Sequence, residues 1–314
     1  MAKILINDGM HNTGIQMLKE AGHTVDTDKI PQDELMEKLP AYDAICVRSA
    51  TKVRSALIDS CPNLKVIGRG GVGLDNIDVE HAKSKGIAVE NTPAASSRSV
   101  AELAMSHAMS IARSLYISNQ EMPKEGNSNF KGLKKNYSKG FELQGKTLGI
   151  IGFGRIGQEL AKIALGCEMK VLAGDVVKFT ATLEQKVGSQ TVSNEISTID
   201  IEEVLKEADL ISLHIPFTGA AVLDADAFAK MKDGVVILNA ARGGTVDEAA
   251  LLEALESGKV AAAGLDVFEN EPTPRQELLE HPRVSSTPHI GASTLEAQEK
   301  IGIELASKLI EHLG

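Results

Sequence analysis

The sequence predicts an α/β protein built from two doubly wound parallel-sheet domains. Short apolar runs alternate with amphipathic segments over most of the 314 residues, a rhythm typical of parallel sheets covered by helices. This rhythm runs twice, from about residue 4 to 89 and again from about residue 147 to 265. A glycine-rich turn joins the first strand of the second series to its first helix, which indicates a Rossmann-type cofactor domain.

The first series begins with an apolar strand. We expect strands at Ile4–Ile6, His23–Asp26, Asp43–Val47, Leu64–Ile67 and Ile87–Val89, and helices at Thr13–Ala21, Asp33–Leu39 and Val79–Lys85. A long helix should follow from about Ser99 to Leu115, because Ser99 and Glu102 match a capping box ahead of an apolar stripe. The polar segment between Asn119 and Gly140 is rich in Lys, Asn and Gly, which is the composition of a loop.

The second series starts after this segment. We expect strands at residues 147–151, Met169–Ala173, Leu210–His214, Val235–Asn239 and Ala261–Leu265, and helices near Asp224–Lys230, Asp247–Glu256 and Thr294–Leu313. The final helix is expected to return to the first series. The predicted domains are therefore residues 1–95 with 290–314, and residues 96–289.

Charge and composition argue against several classes of protein. The formal charge of −10 disfavours nucleic acid or an anionic membrane as a partner. The three cysteines are odd in number and form no C-x-x-C pair, which favours a reduced environment over a disulfide or zinc framework, so no metal site is expected. The first residues do not resemble a signal peptide and no apolar stretch could span a bilayer, so we expect a cytoplasmic protein.

The glycine-rich turn has the pattern Gly-x-Gly-x-x-Gly, formed by Gly152, Gly154 and Gly157. In such a turn the first glycine permits a tight bend, the second a close approach to a pyrophosphate, and the third tight packing of helix on strand. The N–H groups and positive dipole end of the helix then attract phosphates. Asp175 ends the next apolar run, about 20 residues on, where a carboxylate would bind ribose hydroxyls. The pattern predicts a dinucleotide site, with an ordinary βα turn as the alternative.

Three polar residues stand near the ends of late strands, each followed by turn residues. Arg242 suits a carboxylate because its planar guanidinium offers two parallel N–H donors. His289 suits proton transfer near neutral pH, and a carboxylate such as Glu271 would orient its ring and favour the imidazolium. Taken singly, each also has a plain structural interpretation: an exposed loop arginine, a solvated turn acid and a helix-entry histidine.

At these positions the chain resembles the D-isomer-specific 2-hydroxyacid dehydrogenase family, and the likeness runs through nearly the whole sequence. The motifs that carry it are residues 152–157 with Asp175, 239–244, 264–272, 288–294, 47–51 and 68–78, and residues 91–93 followed by 99–102. The resemblance implies a Rossmann-type cofactor domain and a flavodoxin-like substrate or lid domain built from both ends of the chain. It also implies a homodimer assembled through the cofactor domain.

The resemblance implies a catalytic set of Arg242, Glu271 and His289. His289 would take the hydroxyl proton while the C2 hydride passes to the nicotinamide, and would return that proton during reduction. Glu271 would hold His289 and favour its protonated form. Arg242 would bind the substrate carboxylate and polarise the carbonyl group.

Asp175 favours NAD as the cofactor, because a carboxylate there would repel the extra phosphate of NADP, although Lys178 lies close in sequence. Further contacts follow from the family pattern. The full predicted cofactor set is Gly152, Gly154, Arg155, Ile156, Gly157, Asp175, His214, Pro216, Ala240, Arg242, Asp266, His289 and Gly291. For His214, a plain strand-end histidine is the alternative interpretation.

Within the family, the chain most resembles the short-form D-3-phosphoglycerate dehydrogenases of serine biosynthesis. Arg48 and Arg69 follow apolar strands of the predicted lid domain, where cations would concentrate a phosphorylated acid; a structural salt bridge is the alternative for either. The predicted substrate residues are Arg48, Ser49, Arg69, Gly70, Gly71, Arg242 and His289.

Other functions remain open beside this one. The family's usual second threonine is missing after Thr218 and its usual tryptophan is missing near Phe130, so glyoxylate or hydroxypyruvate reduction is the main alternative. Formate dehydrogenation is disfavoured, because those relatives carry glutamine where Glu271 stands. An NAD-sensing corepressor is an alternative of another class, although we see no disordered partner-binding tail in this sequence.

Overall fold

The computed structural model describes residues 1–314, which form two compact units. Unit 1 comprises Met1–Ser99 and Ala292–Gly314, and unit 2 comprises Val100–Gly291. The boundaries predicted from the sequence lie at residues 95 and 290. No helix in either unit combines the length and apolar character needed to cross a membrane.

Unit 1 contains a five-stranded parallel sheet. Its strands are β1 (Lys3–Ile6), β2 (Thr24–Asp26), β3 (Ala44–Val47), β4 (Val66–Arg69) and β5 (Ala88–Asn91). Its helices are α1 (Asn12–Glu20), α2 (Leu35–Lys38), α3 (Ser55–Asp59), α4 (Val79–Ser84) and α12 (Leu295–Leu313), with a 3₁₀ turn at Leu39–Ala41. The strand order β2-β1-β3-β4-β5 is the flavodoxin-like order.

Alternate strand residues of unit 1 pack on opposite faces of this sheet. Leu5, Ile45 and Ile67 join one apolar cluster together with side chains of α2, α3 and α4. Ile4 and Cys46 join the other cluster, which side chains of α1 and α12 complete. Both faces of the sheet are therefore covered, as the near-continuous apolar strands predict.

A glycine pair allows α1 and α12 to approach each other closely. A Cβ atom placed on Gly14 of α1 would lie 2.4 Å from the carbonyl oxygen of Gly302 in α12. No side chain could occupy that position without moving one helix. The helix α12, near the carboxyl end, thus packs within unit 1.

Unit 2 contains an eight-stranded sheet. Its strands are β6 (Thr147–Ile151), β7 (Lys170–Gly174), β8 (Thr180–Val187), β9 (Gln190–Ile199), β10 (Leu210–Leu213), β11 (Val235–Asn239), β12 (Val260–Leu265) and β13 (Val284–Ser286). Its helices are α6 (Leu115–Asn136), α7 (Arg155–Gly166), α8 (Ile201–Glu207), α9 (Ala225–Lys230), α10 (Glu248–Ser257) and α11 (Gln276–Glu280), and α5 (Ser97–Ala112) crosses the boundary at residue 99.

The strand order is β13-β12-β11-β10-β6-β7-β9-β8. Its central part, read from β9 through β6 to β12, is the 3-2-1-4-5-6 order of a Rossmann sheet. One apolar cluster packs side chains of α5 and α7 against the sheet, and a second packs α8, α9 and α10 against the opposite face. The predicted fold class, two doubly wound α/β sheets, is confirmed.

The strand β8 departs from the predicted parallel pattern. It pairs antiparallel with β9 from Thr180↔Ser197 to Val187↔Gln190, so the two strands form a hairpin at the edge of the sheet. Only the end of β9 pairs with β7, at two positions. Buried and exposed residues alternate over the first half of β8, and a two-residue turn at Gly188 joins it to β9.

The segment predicted as a loop, from Asn119 to Gly140, is largely the helix α6, with a kink at Asn129. Its polar composition and its proline and two glycines give it low intrinsic helix propensity. Tertiary contacts hold it instead: Leu133 is buried, and the Tyr116 hydroxyl donates to the Pro282 carbonyl at 2.9 Å.

The predicted capping box at Ser99 is also wrong. The helix α5 begins two residues earlier, at Ser97, so Ser99 lies within its first turn. The Ser99 hydroxyl pairs with the Thr294 hydroxyl at 2.9 Å. The Ser99 hydroxyl therefore bonds to a residue distant in sequence and does not cap the helix, whereas the sequence pattern predicts a cap.

Candidate active site

The carboxyl ends of the strands in unit 2 lie in one row. Ile151 of β6 is in register with Gly174 of β7 and with Leu213 of β10. Leu213 is in register with Asn239 of β11, and Asn239 with Leu265 of β12. The predicted site residues of this unit stand directly after the row, which is where ligands bind in open α/β sheets. The row brings together the turns that begin at residues 152, 175, 214, 240 and 266.

The three glycines of the turn after β6 meet three different steric demands. Gly152 has a φ of 92°, and a Cβ there would lie 2.5 Å from the His214 carbonyl oxygen. A Cβ on Gly157 would lie 2.4 Å from the Gly152 carbonyl oxygen. Gly154 instead faces open space, with no atom within 4 Å of such a Cβ. This open position at the N-terminus of α7 is the cradle that a pyrophosphate requires.

Asp175 follows β7 and is anchored by two backbone groups. Its Oδ2 accepts from the Phe153 N–H at 2.8 Å and its Oδ1 from the Val177 N–H at 3.0 Å. Each oxygen keeps a lone pair for a ribose hydroxyl. Lys178 is engaged elsewhere, because its Nζ lies 2.6 Å from Asp200. The turn, the helix end and this carboxylate therefore fit NAD.

Other predicted cofactor residues lie on the same row. Arg155 is exposed and Ile156 is half-buried in the first turn of α7. His214 follows β10, and its Nε2 pairs with the buried Ser212 hydroxyl at 2.9 Å, while its Nδ1 is inaccessible and has no hydrogen-bond partner. Burial lowers the pKa of His214 to about 4, so the ring is neutral at physiological pH. Pro216 is exposed two residues later.

Arg242 lies in a loop whose backbone is fixed by two buried polar residues. Asn239 donates from Nδ2 to the Arg242 carbonyl at 3.1 Å and accepts from the Ala241 N–H at 3.1 Å. Thr245 donates to the same Arg242 carbonyl at 2.7 Å. The Arg242 guanidinium donates to the Ala241 carbonyl at 2.6 Å. Ala240, at the start of this loop, is half-buried.

Glu271 and His289 are in direct contact. The Nδ1 atom of His289 lies 2.7 Å from Oε2 of Glu271, and the other carboxylate oxygen accepts from the Phe268 N–H at 3.0 Å. Burial by itself raises the pKa of Glu271. The hydrogen bond and charge of His289, the Phe268 N–H and the charge of Arg242 outweigh burial, so the pKa lies below its ordinary value. The Glu271 carboxylate is therefore ionised beside the histidine ring.

Asp266 fixes the loop that presents His289. Its buried carboxylate accepts from the Thr287 hydroxyl at 2.7 Å and from the N–H groups of Ile290 and Gly291, each at 2.8 Å. His289, between these anchors, adopts a φ of 54°, in the left-handed region that few non-glycine residues occupy. The anchored loop supplies the constraint that such a conformation needs.

In unit 1, Arg48 and Ser49 follow β3 and line an open cavity of about 440 Å³. Its other lining residues include Asp8 and Lys29. Asp8 organises the cavity wall, because its carboxylate accepts from the Arg48 N–H at 2.8 Å and from the Thr51 hydroxyl at 2.7 Å. Two cationic side chains thus lie at the carboxyl edge of this sheet.

Gly70 and Gly71, also predicted for the substrate, use their N–H groups within unit 1. The Gly70 N–H donates to the Val47 carbonyl at 2.9 Å, and the Gly71 N–H donates to the Thr92 hydroxyl at 2.8 Å. Arg69 folds back over this turn, with its Nη1 atom 3.3 Å from the Gly70 carbonyl oxygen. The N–H groups of Gly70 and Gly71 are therefore not available to bind the substrate, and the predicted contact would involve other atoms of these residues.

Sequence reasoning missed both of the other charged residues that line the unit 1 cavity, Asp8 and Lys29. Asp8 stands two positions after β1, so the rule that found Arg48, a polar residue after an apolar strand, could also have found it. Lys29 lies in an irregular segment after β2, and no local pattern distinguishes it from a solvated lysine.

A sequence profile of the D-isomer specific 2-hydroxyacid dehydrogenase NAD binding domain matches residues 105–291. Over 318 residues the chain is 47% identical to a hydroxypyruvate reductase of Thermotoga maritima, spanning 99% of this chain and 98% of that protein. It is 43% identical over 311 residues to a D-3-phosphoglycerate dehydrogenase of Methanocaldococcus jannaschii. The chain covers only 57% of that longer protein.

A solved structure is also similar over nearly the whole chain. The glyoxylate reductase of Paecilomyes thermophila superposes with a TM-score of 0.83 at 30% identity, over 98% of this chain and 93% of the other. The extent of these matches confirms the family that the motifs indicated. The chain belongs to the D-isomer specific 2-hydroxyacid dehydrogenases, NAD-dependent oxidoreductases that act on CH–OH groups.

Proposed function

We propose that this enzyme interconverts D-3-phosphoglycerate and 3-phosphohydroxypyruvate, the first step of serine biosynthesis. The observation that carries the proposal is the pair of cations, Arg48 and Lys29, at the open cavity of unit 1. An acid with a phosphate group needs such a cationic pocket, whereas an acid with only a hydroxyl group does not. We therefore assign binding of the substrate phosphate to unit 1, and cofactor binding to unit 2.

The chemistry is assigned to the three residues of unit 2. NAD, when bound, supplies the hydride acceptor or donor for C2 of the substrate. His289 is held by Glu271 through Nδ1, which leaves Nε2 to take the hydroxyl proton in oxidation and to return it in reduction. The ionised Glu271 orients the ring and balances the charge that His289 gains while it holds the proton. Arg242 binds the substrate carboxylate through its guanidinium.

Hydroxypyruvate reduction is the second candidate. It is favoured by the Thermotoga maritima relative, which matches this chain over almost its full length, whereas the chain covers 54–57% of the phosphoglycerate dehydrogenases that it matches. Hydroxypyruvate differs from phosphohydroxypyruvate only in lacking the phosphate. The two candidates therefore share the proposed catalytic residues and differ in the role of Arg48.

Steady-state kinetics separate these candidates. We expect kcat/KM of the wild type to be higher for phosphohydroxypyruvate than for hydroxypyruvate or glyoxylate. Arg48→Gln should lower kcat/KM for the phosphorylated acid by roughly 10- to 100-fold, the value of a charged hydrogen bond, and leave hydroxypyruvate nearly unchanged. Arg54→Gln is the matched control, because Arg54 pairs with Asp78 in the same unit. A wild-type preference for hydroxypyruvate would refute the phosphorylated substrate.

We also propose that the protein is a homodimer that assembles through unit 2. Large apolar side chains are exposed on α5 and α6, where Met109 is 43% and Phe130 is 58% exposed. Exposed apolar surface of this kind is typical of a protein interface. A corepressor function, the alternative of another class, is tested by the same kinetics, since it requires that no 2-hydroxy or 2-oxo acid be turned over.

A further inference from the structure

Behind the loop of His289 lies a buried histidine that the proposed mechanism does not use. His107, on α5, is 5% exposed. Its Nδ1 lies 2.9 Å from the hydroxyl of Ser285, and its Nε2 lies 3.1 Å from the hydroxyl of Thr287. Both ring nitrogens are thus paired with residues of β13 and of the loop that follows it.

The hydrogen bonds of His107 continue into the anchor of the active-site loop. The Thr287 hydroxyl lies 2.7 Å from Oδ1 of Asp266, and the same carboxylate holds the N–H groups of Ile290 and Gly291. Three consecutive side chains therefore connect the helix α5 to the loop that keeps His289 in its left-handed conformation.

The direction of each hydrogen bond follows from the groups involved. The Asp266 carboxylate can only accept, so Thr287 gives its one hydroxyl proton to Asp266. Thr287 must then accept from His107, so Nε2 of His107 carries a proton. Burial lowers the pKa of His107, which favours a neutral ring whose Nδ1 accepts from Ser285. The relay runs from Ser285 through His107 and Thr287 to Asp266.

The surrounding strand is shaped for this histidine. Gly264, in the interior of β12, faces His107, and a Cβ on Gly264 would lie 2.6 Å from the His107 Cβ. A glycine inside a strand is unfavourable unless a close approach requires it. The ordinary interpretation of His107 is a core residue with satisfied nitrogens. That interpretation explains its burial but not why its partners lead to the carboxylate that anchors the loop of His289.

We propose that His107 is a positioning residue, which fixes the Thr287 hydroxyl on Asp266 and thereby holds His289 at its catalytic orientation. The inference rests on the proposed role of His289. It adds a residue more than 150 positions away in sequence, on a different element, to the set that controls the proton-transfer step.

Two substitutions of similar size isolate the hydrogen bonds from packing. In His107→Gln the amide can still donate to Thr287 and accept from Ser285, whereas in His107→Met neither interaction is possible. We expect His107→Met to lower kcat by about tenfold, the equivalent of one lost hydrogen bond, with KM for NADH unchanged. His107→Gln should restore kcat to within about threefold of the wild type, since it keeps both hydrogen bonds.

Hydrogen exchange provides a readout that does not depend on catalysis. The amides of Ile290 and Gly291 are bonded to Asp266, so they should exchange faster in His107→Met than in the wild type or His107→Gln. Equal exchange in all three proteins, or equal kcat in the two variants, would overturn the inference. If His289→Asn kept wild-type turnover, the proposed function would fail, while the exchange rates would still decide whether His107 anchors the loop.

A double-mutant cycle with Thr287 guards against a variant that merely folds poorly. Thr287→Val removes the acceptor of His107 and the donor to Asp266 in one step. If both residues act in one relay, the double variant His107→Met with Thr287→Val should lose no more kcat than Thr287→Val alone. Multiplicative losses would mean that the two residues act independently, which contradicts the relay.

Discussion

The two ring nitrogens of His289 have different roles: one is bound to a carboxylate, and the other is assigned to the substrate. Nδ1 is held by the Glu271 carboxylate, while the side chain as a whole is 43% exposed. The backbone of His289 has a φ of 54°, and the anchored loop that holds this conformation sets the direction of the ring. At the residue scale, the proposed chemistry therefore depends on one carboxylate that orients the ring and another, Asp266, that orients the backbone.

Replacing His289 tests the assigned proton transfer. We expect His289→Ala to lower kcat by about 10²- to 10⁴-fold, the usual contribution of general acid–base catalysis. The Kd for NAD, measured by calorimetry, should stay near the wild-type value. His312→Ala is a suitable control, because His312 is a surface histidine of unit 1 paired with Glu90. Wild-type kcat in His289→Ala would overturn the assignment.

Removing the charge of Glu271 should slow the proton transfer. The pKa of Glu271 lies below its ordinary value of 4.5, so the carboxylate remains ionised above that pH. Its Oε2 atom lies 2.7 Å from Nδ1 of His289, where its charge can balance the charge that the ring gains when it takes a proton. Glu271→Gln replaces this charge-assisted hydrogen bond with a neutral one, so kcat should fall by roughly tenfold. Wild-type kcat in this variant would show that the carboxylate does not assist the proton transfer.

The buried ring of His214 should make the folded protein less stable in mild acid. Burial lowers its pKa from 6.5 to about 4, so between these values the unfolded chain binds a proton that the folded chain does not. The free energy of unfolding therefore falls as pH decreases from 6.5 towards 4. His214→Gln removes this titration, and urea unfolding at pH 7 and pH 5 should show a smaller difference than in the wild type. An unchanged difference would mean that the ring is not neutral when folded.

At the element scale, the sequence contained the information for most strands and for the turn after β6. Long apolar runs define strands wherever both faces of a sheet are covered, and Val235–Asn239 was predicted with its bounds unchanged. The register that aligns Ile151 with Leu213 and Asn239 could not be read from any one segment, since it depends on pairing between strands. The contact of Glu271 with His289 was anticipated from the chemistry and position of the two groups, and the family resemblance implied it more specifically.

The incorrect elements share one physical cause. The helix α6 has weak local propensity and is held by Leu133 and Tyr116, and the Ser99 hydroxyl near the start of α5 pairs with Thr294 instead of capping the helix. Local sequence reports intrinsic preference, whereas tertiary packing can override it. The sequence indicates for His107 only an ordinary position in a packed helix, because its partners Ser285 and Thr287 lie far away in sequence.

Two glycines of one turn should respond differently to the same substitution. Gly154→Ala adds a methyl group to open space, so the fold should keep its Tm while the Kd for NAD rises, because the methyl group blocks the pyrophosphate. Gly157→Ala drives a methyl group to 2.4 Å from the Gly152 carbonyl oxygen. It should destabilise the protein by about 1–3 kcal/mol. Thermal melting and calorimetry separate the two effects, and equal Tm losses would refute the distinction.

At the scale of the whole molecule, the proposed dimer can be tested on the exposed surface of α6. Phe130→Lys places a charge at the position of a 58% exposed apolar side chain. If that surface forms the interface, light scattering should report a monomer at concentrations where the wild type is a dimer. Met36→Lys, at a 55% exposed position in unit 1, is the control and should leave the mass unchanged. A dimeric Phe130→Lys protein would exclude this residue from the interface.

The contact between α1 and α12 has a consequence for synthesis of the protein. The strands of unit 1 end at Asn91, but α12, one of the two helices that cover one face of their sheet, begins at Leu295, about 200 residues later. At roughly 5–20 residues per second, the ribosome needs about 10–40 s to synthesise the residues between β5 and α12, and during this time the face is only partly covered. Unit 2 is continuous in sequence and can fold during this interval. The nascent chain therefore presents the apolar surface around Ile4 and Cys46 to chaperones until α12 emerges and docks.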